Sequence, residues 1–84
     1  MSAVNISAWI EQLESVVADL ETANAVNPNP RKKREANDHL DHASRQIKAA
    51  WLTDDKSHAE RCLTEARSFI GFARDLIFGS RRGS

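Results

Sequence analysis

Five side chains in the stretch Glu35-Ala36-Asn37-Asp38-His39-Leu40-Asp41-His42 could do chemistry. Two histidines three apart share a helix face, and Glu35 lies one to two turns ahead of them, so the group has the look of a metal-binding helix. Structural zinc takes four ligands, however, and His58 and Cys62 would have to supply the remainder from a different segment. No Gly-rich phosphate loop, no Gly-x-Ser-x-Gly elbow, no His-Glu-x-x-His and no ordered Ser/His/Asp set accompanies them. The expectation is a protein that is not an enzyme, with no catalytic residue, no metal and no cofactor. His39 and His42 are then edge-of-core or solvated residues, and Cys62 is a small hydrophobe inside an apolar stripe. A metal-dependent enzyme around His39 and His42 ranks third among the functional readings.

The second candidate is the run Arg31-Lys32-Lys33-Arg34 directly after Asn27-Pro28-Asn29-Pro30. If a helix starts there, four cations crowd the positive end of its macrodipole, where an exposed like charge costs about 0.3 to 1 kcal/mol. Something must offset that cost. One possibility is an acidic neighbour: residues 1–30 carry Glu11, Glu14, Asp19 and Glu21 and no Lys or Arg, and Glu14 and Glu21 share one side of their helix. The other is an anionic ligand, since basic side chains and free N–H groups at a helix N-terminus together suit a phosphate, a nucleotide or an acidic protein surface. Nucleic acid is the less favoured partner, because the chain as a whole has zero net charge and its acidic first segment would repel a phosphate backbone.

These residues need elements to hold them, and the sequence supplies three helices. Ile6, Trp9, Ile10, Leu13, Val17, Leu20 and Ala23 recur at steps of three and four, widened by Val16, which predicts helix 1 over about 5–26. The two prolines end it, because the residue before a proline avoids α geometry and proline donates no N–H. Asn29 as N-cap with Pro30 at the first helical position starts helix 2, over about 30–52. Its stripe of Ala36, Leu40, Ala43, Ile47, Ala50 and Trp51 is half alanine, a narrow surface that admits another helix closely. Thr53-Asp54-Asp55 supplies the next caps and Gly79 the next stop, which predicts helix 3 over about 54–78. The competing arrangement is one bent rod running through Trp51 to Asp55. Helices 2 and 3 also echo each other around Ile47 and Ile70, as two amphipathic helices with Ala and Ile at core positions do.

An 84-residue chain makes one domain, here residues 1–79 with a flexible tail at 80–84. It buries only roughly 60 to 65% of its unfolded surface, so its core is small. The lone Cys62 excludes an internal disulfide, MSAVNISAW lacks the pattern of a signal peptide, and no run approaches the roughly 18 apolar residues of a membrane span. A cytoplasmic protein with no membrane partner is expected.

Helix 3 concentrates Phe69, Ile70, Phe72, Leu76 and Ile77 in its last half, more apolar surface than the alanine-rich helix 2 would cover. The sequence therefore predicts an all-α three-helix bundle that self-associates, as a homodimer or higher oligomer, through those five residues, with Trp9 or Val16 at the margin. The function that follows is a small helical interaction protein, a regulator, adaptor or inhibitor acting by binding another macromolecule. The alternative is an anion-, nucleotide- or nucleic-acid-binding module that uses Arg31, Lys32, Lys33 and Arg34.

Overall fold

The computed structural model describes residues 5–79, in which three α-helices follow one another: α1 (Ile6–Ala25), α2 (Pro30–Leu52) and α3 (Lys56–Phe78). The described residues contain no strand. The expected tail at 80–84 lies outside the described residues.

Each helix begins where a side chain can take up its free N–H groups. The Asn5 carboxamide accepts from the Ala8 N–H at 3.1 Å, and Asn29 Oδ1 accepts from the N–H groups of both Arg31 and Lys32. Helix α3 starts two residues later than its cap-rich prelude suggested. Thr53 is extended, with ψ 146°, and its hydroxyl accepts from the Asp55 N–H, leaving Asp55 as the N-cap that holds the N–H groups of Ser57 and His58. The extended Thr53 and Asp55 also separate α2 from α3, so the two are not one bent rod. At the far end Gly79 stops α3 with φ 80°, a conformation that an L side chain rarely adopts, and donates to the Asp75 carbonyl.

The three helices run antiparallel in succession around one core. Its seam is the α2–α3 contact, the largest in the molecule, where Ala36, Leu40, Ala43, Ile47 and Ala50 meet Ala59, Leu63, Ala66, Ile70 and Ala73. Small residues on both sides let the backbones approach, while Leu40 and Leu63 fill the space between them; both are completely buried. Helix α1 lies against both partners through Ile10, Leu13, Val17 and Leu20. The next position on that stripe is Asn24, not Ala23: the asparagine is 1% exposed and Ala23 is only half-buried. Cys62 is buried in the core as a free thiol, with its Sγ 3.7 Å from His58 Nε2.

Candidate functional site

The basic run sits on the first turn of α2, and the structure resolves its conflict with the helix dipole through neighbours other than those the sequence suggested. Glu14 and Glu21 line a groove between α1 and α2 together with Ser44 and Lys48. Among the described residues, no member of Arg31 to Arg34 forms an ion pair with either glutamate. Lys33 instead reaches back to the end of α1, where its Nζ donates to the Ala25 carbonyl at 3.2 Å. Because the helices are antiparallel, the negative end of the α1 macrodipole lies beside the positive end of α2, and a cation there is stabilised.

That junction is tied by four asparagines. Asn24 Nδ2 donates to the Lys33 carbonyl at 2.9 Å and to Asn37 Oδ1 at 2.8 Å, and Asn24 Oδ1 accepts from Asn27 Nδ2 at 3.1 Å. Asn27 Oδ1 accepts from the Asn29 N–H, and Asn29 caps α2. The anion-site reading required free N–H groups beside the basic side chains. Those of Arg31 and Lys32 are taken by Asn29 Oδ1 and that of Lys33 by the Asn29 carbonyl, at 2.8 Å. Arg31, Lys32 and Arg34 are left as an exposed basic knob with no backbone cradle.

The two histidines lie against aromatic rings of α3. His42 stacks on Phe69 with ring centroids 5.1 Å apart and planes 23° from parallel; His39 contacts both Phe69, at 6.1 Å, and Phe72, at 5.5 Å. Phe69 and Phe72 meet edge to face. His39 Nδ1 is buried with no hydrogen-bond partner, beside a shallow depression lined by Glu35, Asp38, Phe72, Asp75 and Leu76. Among the described residues, no group of three or more His, Cys, Asp or Glu is arranged to hold a metal ion. The sequence spacing that paired His39 with His42 is real, and what it serves is packing over Phe69.

The five residues expected at an interface divide. Ile70 is core, and Phe69, Leu76 and Ile77 are half-buried against it. The broad face of α3 is covered because two helices, α1 as well as α2, pack on it. Trp9 and Val16 are likewise half-buried against the core. Of the five, only Phe72 is mostly exposed, at 51%, and it is joined by Phe78, at 59%. Both border a shallow depression on the outer side of α3 with Arg67, Ser68, Gly71 and Asp75. Gly71 sits in mid-helix, where glycine costs about 1 kcal/mol relative to alanine. A Cβ at that position would meet no atom within 4 Å, so packing within the chain does not require the glycine.

The groove between α1 and α2 is a third concave surface, about 700 Å³ in volume. Ile10, Val17 and Ile47 form its floor, Glu11, Glu14 and Glu21 its α1 rim, and Trp51, 64% exposed, its end.

No protein-family model matches the chain, and neither a curated protein nor a solved structure is similar to it. Among the described residues, no helix is long and apolar enough to cross a membrane.

Proposed function

We propose that this chain is a small cytoplasmic interaction protein, a regulator or adaptor that self-associates and works by binding rather than by catalysis. The observation that carries the reading is the apolar surface that α3 leaves exposed: Phe78 is 59% exposed, and Phe72, which rests on His39 and Phe69, is still 51% exposed. Full burial of a Phe side chain contributes about 1.5 to 3 kcal/mol, so covering the exposed halves of two from each chain is a substantial gain for so small a protein. Light scattering across a concentration series tests it. The expected mass is a multiple of the 9.4 kDa chain, and a Phe78→Glu variant is expected to reduce it to a single chain with helicity retained. A wild-type mass of 9.4 kDa at every concentration up to the millimolar range defeats the proposal.

A second surface supports the adaptor part of this reading. The α1–α2 groove has an apolar floor, an exposed Trp51 and three glutamates on one rim, which suits a cationic amphipathic helix from another protein. Adding such a peptide is expected to shift Trp51 fluorescence in a salt-dependent manner. An unchanged spectrum at millimolar peptide sets this groove aside.

A further inference from the structure

We infer that copies of the chain associate head to tail, the outer face of α3 of one copy lying in the α1–α2 groove of the next, with Arg67 and Arg74 against Glu14 and Glu21. This inference rests on the self-association proposed above and names the two surfaces that meet.

Ser7, Glu11, Glu14, Ala18 and Glu21 follow one another along the α1 side of the groove at steps of four and three, a straight row against which a further helix can lie. All five are exposed, and three of them are carboxylates on a helix that contains no Lys or Arg. The outer face of α3 carries the same spacing with the opposite charge: Arg67, Gly71 and Arg74 repeat the steps that separate Glu14, Ala18 and Glu21. Two parallel helices with equal steps keep their residues level throughout. One alignment therefore sets Arg67 by Glu14, Gly71 by Ala18 and Arg74 by Glu21, with the two charge pairs about 10 Å apart along the axis. Phe78 then comes level with the exposed Ala25. Among the described residues, none of Glu14, Glu21, Arg67 and Arg74 forms an ion pair within its own chain.

The same alignment accounts for Gly71, which is exposed in mid-helix and required by neither the core nor a turn. A glycine opposite an alanine lets two helix backbones approach closely. Direction follows from the hand of the helix. Arg67 and Arg74 lie on one flank of the line through Gly71, and Ser68 and Asp75 on the other. With the incoming α3 parallel to α1, the arginine flank faces α1, while Ser68 and Asp75 turn toward α2, whose side of the groove carries Ser44 and Lys48. The reverse direction would set Asp75 against the glutamates. Because the groove belongs to α1 and α2 and the docking face to α3, the contact is heterologous and continues from copy to copy into a ring or a filament. A cationic helix from another protein would compete with α3 for the same groove.

Two experiments on the full chain test the pairing. One chain carries Glu14→Arg with Glu21→Arg, and another carries Arg67→Glu with Arg74→Glu; all four positions are exposed, so helicity is expected to be retained. Each chain alone sets like charges across the contact, and its dissociation constant is expected to rise at least about a hundredfold; mixing the two is expected to restore association, since every contact again joins opposite charges. In the second experiment, Ala18→Cys and Gly71→Cys are each expected to stay unlinked alone under mild oxidation and to cross-link when mixed, the native Cys62 being buried. A wild-type assembly indifferent to the groove reversals, a mixture that fails to restore association, or a Gly71→Cys variant that links to itself overturns this pairing and leaves self-association standing. A wild-type chain that is monomeric throughout overturns both.

Discussion

The α2–α3 seam and the attachment of α1 hold helices together by different means. In the seam, six alanines from two helices let the backbones close on each other, and Leu40 and Leu63 supply the volume. At α1 the apolar contact comes from larger side chains, Ile10, Leu13, Val17 and Leu20, and the end of the helix is fastened by the asparagine bracket and Lys33. An alanine seam is intolerant of added volume yet gives little directional information. A polar bracket contributes less burial but is satisfied in only one alignment. The lesson is that this small bundle separates tightness from register and assigns them to different junctions.

The largest expected effect is in the seam. Leu63→Ala should destabilise the fold by about 2 to 5 kcal/mol in urea denaturation, and Leu20→Ala, on the outlying helix, should fall at the lower end of that range. Equal losses would remove the distinction between the junctions. Ala43→Leu should cost about 1 to 3 kcal/mol despite adding apolar area, because no space exists for it between the backbones. A neutral or stabilising result would show that the seam is loose. Asn24→Ala leaves Asn37 Oδ1 and Asn27 Nδ2 without their partner, and should cost about 1 to 3 kcal/mol. Native-state hydrogen exchange of that variant should show α1 amides opening well before those of α2 and α3; uniform protection would mean that the bracket does not hold α1. The smallest effect is Lys33→Met, which keeps the aliphatic stem and removes the charge from the end of α1. It should cost about 0.3 to 1 kcal/mol, less at high salt, and a loss insensitive to salt would point to packing alone.

Much of this architecture was legible in the sequence. Apolar spacing and the Asn-Pro signals gave α2 its bounds and α1 its bounds to within one residue, because periodicity and capping are local properties. The sequence points to a start of α3 two residues early because Thr53, Asp54 and Asp55 are all acceptable caps, and a turn closed by the Thr53 hydroxyl decides among them. Asn24 was hidden by its type: the spacing of Leu13, Val17 and Leu20 points to it, but a polar residue at a core position is not counted by an apolar pattern. The role of Lys33 was hidden because its acceptor is a backbone carbonyl, which sequence spacing does not reveal. Of the five residues expected at an interface on α3, the structure leaves only Phe72 mostly exposed, because the width of a helix face says nothing about how many neighbours will share it.

The asparagine bracket also bears on how the chain reaches this structure. Its contacts join Asn24 to residues only nine and thirteen positions away, so the loop they close is short and the entropy lost in closing it is small. Helix–helix alignment at α1–α2 is therefore available early in folding, ahead of the longer-range docking of α1 on α3. Apolar side chains alone would let α1 slip by one turn along α2 at modest penalty, forming a misaligned compact state that must unpack to correct itself. With Asn24 able to find Lys33 and Asn37 together in a single alignment, slipped states lack partners for a buried carboxamide and are penalised before they consolidate.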